Sequence, residues 1–257
     1  MFEIYYNIFK NNSKNNELPN LSPFIINVNA FFNNISSFAK RFKEAIENAA
    51  PVILSMDTLT KLGESQFVYW NYFDSEFMKL ISFSDNVNKT LREIHEKSKY
   101  KEMDKTMELC YNHILISPYK KIFSQSENAY RQKYYDLSLV GFLSIIDGLL
   151  SDVSCSAKLT SIFKRGECIL KKLRKEKLSS FRNEELAYVT LMFTFKSTME
   201  SLSTNVPFTE KEPKNLNRHW IMHGRSRRRK TKLDCLKLVN FIYGIILIND
   251  FSKTSMM

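Results

Sequence analysis

Two of the four histidines of this 257-residue chain lie close together beside an arginine, at Arg218, His219 and His223. A neutral imidazole near pH 7 can take a proton from a ribose 2′-hydroxyl and return it to a leaving oxygen. An arginine can hold a phosphate through its planar fork of N–H donors and stabilise the charge of the transition state. These residue types therefore suffice for metal-independent RNA cleavage, with the 2′-oxygen as nucleophile and a 2′,3′-cyclic phosphate as first product.

A run of cations follows the histidines. The predicted RNA-binding residues in this run are Arg225, Arg227, Arg228, Arg229 and Lys230. Such cations contact backbone phosphates and supply affinity without sequence choice. A charge run is usually a solvated loop, and that interpretation stays open here. Its position beside the histidines, away from either terminus, favours binding.

The order of the motif residues resembles the signature of the HEPN superfamily of all-α ribonucleases. An arginine, Arg218, is followed by the polar His219, a short and mostly apolar spacer, and His223. The sequence His223-Gly224-Arg225 is similar to a common variant in that family. The resemblance implies a metal-independent endoribonuclease without a cofactor, in which Arg218, His219 and His223 are the catalytic residues.

The resemblance also implies a homodimer, because HEPN nucleases build their site at a dimer interface. If the motif is helical, His219 and His223 share a face, while Arg218 is offset from His223 by roughly 140°. In one protomer, Arg218 and His223 are then poorly placed to act on the same phosphate. Two copies facing each other would place both Arg–His pairs in one cleft. The family includes toxins and antiviral defence proteins, so RNA would be the substrate and an antitoxin or regulatory protein a candidate partner.

The histidines also have plainer interpretations. His219 and His223, four residues apart, could form half of a metal site, but the glutamate of an HExxH motif is absent and no third ligand has a recognisable spacing. We therefore predict no metal. The whole motif could also be an ordinary helix end with surface charges. His95 and His113 have no obvious partner in the sequence and are expected to be surface or satisfied core histidines.

An acidic residue lies within the most apolar predicted helix. The segment from Glu127 to Leu150 is almost wholly apolar from Leu139 onward, apart from Asp147 and Gly148. Such a helix is buried centrally or at an interface, and a charge there needs a partner. Asp147 could orient an arginine or a histidine of the motif. It could also form a local structural pair, and this second interpretation is the one we favour from sequence alone.

The composition is that of a globular protein that attracts polyanions. The net charge is +11 and 44% of the residues are hydrophobic, which is enough for a substantial core. The four cysteines lack CxxC spacing, and the first twenty residues lack the apolar segment of a signal peptide. The apolar runs are too short to span a bilayer. We expect a soluble, cytoplasmic protein with reduced thiols and no membrane partner.

The spacing of apolar residues predicts an all-α fold, because no alternation of period two persists long enough for a sheet. The predicted helices cover 31–49, 67–81, 87–94, 103–114, 127–150, 159–173, 184–202, 214–223 and 233–250. Thr231 and Asp234 are expected to cap the last helix. We expect a helical bundle in which residues 121–257 form a HEPN-like domain with the motif and residues 1–120 form an amino-terminal helical region packed on it.

Two further functions are compatible with these features. A non-catalytic helical module could bind nucleic acid or a partner protein through the same basic surface. A membrane-surface protein is a weaker alternative, which predicts binding to anionic lipid with no preference for RNA.

Overall fold

The computed structural model describes residues 56–69, 75–154, 164–169 and 185–254. All of them belong to one compact unit, Ile53–Met257. Every regular element in these ranges is a helix, so the predicted all-α class is confirmed. The helix predicted at 31–49 lies outside the described residues, as does most of the helix predicted at 159–173, of which 164–169 is helical.

Besides residues 164–169, the described residues contain these helices, given in chain order. They are α1 (Met56–Glu64), α2 (Ser75–Ser82), α3 (Val87–Lys97), α4 (Lys101–Asn112), a 3₁₀-helix (Ile114–Tyr119), α5 (Lys120–Arg131), α6 (Tyr135–Val153), α7 (Glu185–Ser203), α8 (Arg218–Met222) and α9 (Lys232–Thr254). The central pair is α6 and α9; α5 covers α6, α4 packs on α9, and α1 packs on α7. Helices from both sides of residue 120 therefore contribute to one unit.

The two central helices are apolar on most of their faces, as a helix in the middle of a core must be. In α6, Leu139, Phe142 and Ile146 are fully buried. The predicted capping pair of α9 is confirmed: the Asp234 carboxylate accepts from the Thr231 backbone N–H at 2.8 Å, and the Thr231 hydroxyl accepts from the Asp234 backbone N–H at 3.3 Å. This reciprocal capping box fixes the point at which α9 begins.

The single helix predicted at 127–150 is wrong, because the chain breaks it into α5 and α6. Lys133 adopts a left-handed φ of 66°, and the Tyr134 backbone N–H donates to the Ala129 carbonyl at 2.8 Å. This is a Schellman ending, which turns the chain so that α6 packs back on α5. The approach is close: a Cβ built on Gly141 would lie 1.9 Å from the Ser126 hydroxyl oxygen.

The helix predicted at 67–81 is also partly wrong, since α2 begins at Ser75 and residues 67–69 are not helical. Hydrogen bonds from distant side chains replace those of a helix. The Asn240 side chain of α9 accepts from the Val68 backbone N–H at 2.7 Å and donates to the Val68 carbonyl at 3.1 Å. The Tyr69 backbone N–H donates to the Thr194 hydroxyl at 2.8 Å. The segment can therefore be buried with its backbone groups paired.

Replacing Asn240 with leucine should destabilise the fold strongly. Leucine has a similar size but cannot bond to Val68, whose buried N–H and C=O would lose their partner, at a cost of about 3 kcal/mol. Urea unfolding should show this as a lower midpoint with an unchanged slope. Asn128→Ala, on the exposed face of α5, is the control and should change the free energy of unfolding by less than about 0.5 kcal/mol. An N240L protein as stable as the wild type would contradict the role assigned to Asn240.

Candidate active site

The motif lies on a helix much shorter than predicted. Instead of running from about Lys214, α8 comprises only Arg218–Met222, with Asn217 as its N-cap. The Asn217 side chain accepts from the Trp220 backbone N–H at 3.1 Å and donates to the Thr204 carbonyl at 2.7 Å. Asn217 therefore both starts the helix and ties it to the chain that follows α7.

The residues just before α8 are bonded to the rest of the fold instead of to a helix. Gln66 holds the backbone of Leu216 on both sides: its amide donates to the Leu216 carbonyl at 2.5 Å and accepts from the Leu216 N–H at 2.9 Å. The Asn215 amide donates to the Glu64 carbonyl at 2.9 Å. The Gln66 amide thus uses the Leu216 carbonyl, which in a helix starting at Lys214 would accept from the Trp220 N–H.

The predicted end of the motif helix is confirmed. Gly224 has a left-handed φ of 64°, the Gly224 N–H donates to the Ile221 carbonyl at 3.0 Å, and the Arg225 N–H donates to the Trp220 carbonyl at 2.8 Å. This is a Schellman motif, for which glycine is the preferred residue. Buried Trp220 and Ile221 anchor α8 on the core, so that His219 and His223 remain at least partly exposed.

The structure brings the two imidazoles together. The ring centroids of His219 and His223 are 4.5 Å apart with an interplanar angle of 68°. Phe208, which lies in the loop before α8, stacks flat on His219 with a centroid distance of 4.5 Å and an angle of 2°. The centroid of Phe208 is 5.7 Å from that of His223. Phe208 was not predicted from the sequence, where its only signal is an aromatic residue in a mostly polar linker.

The surroundings favour the neutral form of one of the two rings. Burial, followed by repulsion from His223 and Arg218, lowers the pKa of His219 below its usual 6.5. At pH 7 the His219 imidazole is therefore uncharged and has a nitrogen that can accept a proton. A general base needs this state at the start of a reaction.

The acid of α6 meets the arginine of the motif. Arg218 Nε donates to both carboxylate oxygens of Asp147, at 2.9 and 3.1 Å, and Arg218 Nη2 also donates to Asp147. The two side chains are 32% and 22% exposed. One interpretation from sequence was that Asp147 contacts an arginine or histidine of the motif, and the structure contains such a contact, with Arg218. Whether this contact serves catalysis stays a prediction.

Glu212, which was not predicted from the sequence, holds the basic loop that follows α8. Its carboxylate accepts from the backbone N–H groups of Arg227 and Arg228, at 2.7 and 3.1 Å, and from the Ser226 hydroxyl. Burial raises the pKa of Glu212, but these hydrogen bonds and the charge of Lys230 outweigh it, so that the pKa lies below its usual 4.5.

The five predicted RNA-binding residues divide into two groups. Arg225, Arg227 and Arg229 are exposed. In contrast, Arg228 forms an ion pair with Asp234 at 3.0 Å. Lys230 differs from the others because it is only 4% exposed and its ammonium donates to the Arg228 carbonyl at 2.8 Å and to Ser226. Arg228 and Lys230 therefore stabilise the loop, and the three exposed arginines are the ones placed to meet a polyanion.

The two remaining histidines lie among the other helices. His113 caps the 3₁₀-helix by accepting from the Leu115 N–H at 3.3 Å, and its Nε2 lies 3.1 Å from an Asp250 oxygen. His95 is a core histidine, 2% exposed, but among the described residues neither ring nitrogen has a hydrogen-bond partner, and Nδ1 lies 3.7 Å from a Glu102 oxygen. Burial lowers its pKa, which keeps the ring neutral.

Comparison with protein-family models, curated proteins and solved structures gave no match for this chain. Within residues 56–69, 75–154, 164–169 and 185–254, no three His, Cys, Asp or Glu side chains are grouped so that they could hold a metal ion. None of the helices in those ranges has both the length and the apolar character needed to cross a membrane.

Replacing Glu212 with alanine should loosen the basic loop. Hydrogen exchange at the Arg227 and Arg228 amides should become more than about tenfold faster, because each loses a bond to a charged acceptor. Glu210→Ala, an exposed acid in the same loop, is the control and should leave both rates unchanged.

The pH dependence of this protection follows from the lowered pKa of Glu212. A carboxylate whose folded pKa is depressed stabilises the loop above its unfolded pKa and loses this effect as pH falls through the folded value. Protection in the wild type should therefore persist to below pH 4.5. Equal exchange rates in E212A and the wild type would contradict the anchoring role.

Proposed function

We propose that this protein is a metal-independent endoribonuclease. The observation that carries the proposal is the cluster around α8: two imidazoles with ring centroids 4.5 Å apart, one of them held neutral, next to an arginine in a bidentate ion pair. The HEPN resemblance of Arg218, His219 and His223 supports the same chemistry. A toxin or antiviral-defence role, restrained by an antitoxin or regulatory protein, is the biological setting that this resemblance favours.

The two histidines divide the proton transfers between them. One imidazole takes the proton of the 2′-hydroxyl, the 2′-oxygen attacks the adjacent phosphorus, and the bond to the 5′-oxygen breaks. A protonated imidazole donates to that leaving oxygen, which leaves a 2′,3′-cyclic phosphate and a 5′-hydroxyl. His223 is the general base or acid, and His219 is the second proton carrier or an orienting group. This division needs no metal and no cofactor.

Arg218 retains donors for a phosphate although it is paired with Asp147. A guanidinium has five N–H donors, and the pair engages its Nε and Nη2 edge. The N–H groups of Nη1 lie outside the pair. Asp147 thus fixes the orientation of Arg218, while Nη1 can clamp the phosphate. The exposed Arg225, Arg227 and Arg229 extend the positive surface along the RNA backbone.

We further propose a homodimer, as the resemblance implies. On α6, Leu137 and Val140 are 67% and 40% exposed. They precede Asp147 by ten and seven residues, which places all three on one helix face. An exposed apolar stripe that leads to the Arg218–Asp147 pair is a suitable surface for a second copy. Two protomers meeting there would bring their motif residues into one cleft.

The second candidate is a helical module that binds nucleic acid or a protein without cutting. One observation favours it: Arg218 gives two of its nitrogens to Asp147 and therefore offers less of its fork to a phosphate. The exposed arginines would then supply backbone affinity, and the histidines would be part of a binding surface.

Cleavage of RNA in excess EDTA separates these two functions. Wild-type protein should cut single-stranded RNA and leave cyclic-phosphate ends, whereas His223→Ala should be at least about 100-fold slower and still bind RNA. His113→Ala is the matched control, since His113 is the N-cap of the 3₁₀-helix and its replacement should not affect the rate. Fragment ends are identified by mass spectrometry, and binding by fluorescence anisotropy.

Two outcomes would contradict the enzymatic proposal. Intact RNA with the wild type would favour the binding module, and cleavage that stops on adding EDTA would favour a metal site. Sedimentation equilibrium of the same samples tests the dimer: the active form should have twice the chain mass, and a fully active monomer would contradict a composite site.

A further inference from the structure

Phe208 is an exposed aromatic residue at the edge of the candidate site. It lies in the loop between α7 and α8, in a turn closed by a hydrogen bond from the Glu210 N–H to the Pro207 carbonyl at 3.0 Å. Phe208 remains 38% exposed although it contacts the rings of His219, Trp220 and His223. A single exposed apolar residue is ordinary on a protein surface, so what distinguishes Phe208 is its position against both histidines.

The position of this ring is fixed before any ligand arrives. Phe208 meets the edge of Trp220 with a centroid distance of 5.4 Å and an angle of 76°. The same Trp220 donates from its indole N–H to the Val206 carbonyl at 3.0 Å, which holds the chain two residues before Phe208. Pro207 restricts the backbone between them. A ligand that stacks on this ring therefore has little ordering cost to overcome.

An imidazole and a cation adjoin the ring. His219 stacks parallel on Phe208 and covers part of one face. The guanidinium carbon of the exposed Arg225 lies over the ring, 5.5 Å from the Phe208 centroid, so a base that stacks there meets this cation and must displace it. A base needs an aromatic partner for stacking and its phosphate needs a cation, and here the two adjoin.

We propose that Phe208 stacks an unpaired nucleobase next to the phosphate that is cleaved. This inference rests on the proposed function, because it assigns the base to a nucleotide held at the histidines. In a duplex each base face is covered by its neighbours, so a paired base cannot reach Phe208 without leaving the stack. Single strands, loops and bulges present such a base at no cost of unpairing.

The test is binding of a short 2′-O-methyl oligonucleotide that carries 2-aminopurine, whose fluorescence is quenched on stacking. The 2′-O-methyl groups remove the nucleophile, so the full-length wild-type protein can be used without cleavage. Phe208→Leu removes the ring and keeps an apolar side chain; it should bind about tenfold more weakly and quench less. Phe208→Tyr keeps the ring and should bind and quench like the wild type. Phe83→Leu, at a 67% exposed phenylalanine after α2, is the matched control and should have no effect.

The outcomes distinguish this inference from the proposed function. Equal binding by F208L and the wild type, or equal losses in F208L and F208Y, would overturn the stacking role. Tight binding of a fully paired duplex, weakened by F208L to the same extent, would also overturn it, because the ring would then only support the histidines. RNA that is bound in a Phe208-dependent way but never cut would overturn the nuclease proposal and leave the stacking role standing.

Discussion

The ion pair between Arg218 and Asp147 is the contact on which the arrangement of the site depends. It joins a five-residue helix, too short to be stable alone, to α6, the most apolar of the described helices. Both side chains keep between a fifth and a third of their surface exposed, so solvent weakens the attraction and the pair contributes little to stability by itself. Its importance is geometric, because it sets the orientation of the guanidinium and of the helix that presents the histidines.

Side-chain amides hold the irregular segments of the chain on the helical core. The loop before α8 and the non-helical residues 67–69 have backbone groups that are not paired within a helix. Gln66, Asn217 and Asn240 supply partners for them by bonding to backbone 150, 13 and 172 positions away in the sequence. A side-chain amide has both a donor and an acceptor, as a peptide group has, so it can form the hydrogen bonds that a neighbouring strand would otherwise supply. The candidate site is therefore built on a frame of polar contacts between helices.

The parts of this structure that depend on local sequence could be predicted. The all-α class followed from apolar spacing, the end of α8 from Gly224, and the start of α9 from Thr231 and Asp234. The need for a partner at Asp147 followed from its apolar surroundings, although the sequence could not choose between a motif residue and a local pair. These features rest on residues within one helix or one turn.

The parts that were missed depend on contacts between distant residues. The non-helical segment 67–69 is buried with the backbone of Val68 paired to Asn240, 172 positions later in the chain. The break between α5 and α6 places a lysine in a left-handed conformation that sequence would assign to glycine. Phe208 and Glu212 lie in a polar loop and gain their roles only when the loop folds over α8. Lys230 belongs to a run of cations, yet its side chain is buried, where its ammonium contacts Glu212 and Ser226.

A double-mutant cycle on RNA cleavage tests most directly whether Asp147 acts through Arg218. The rates are measured for the wild type, Asp147→Asn, Arg218→Ala and the double variant, with folding checked by urea unfolding. If Asp147 only orients the guanidinium, D147N should slow the wild type by about tenfold or more and should change nothing further once Arg218 is alanine. Losses that multiply in the double variant would contradict this account, because Asp147 and Arg218 would then act independently.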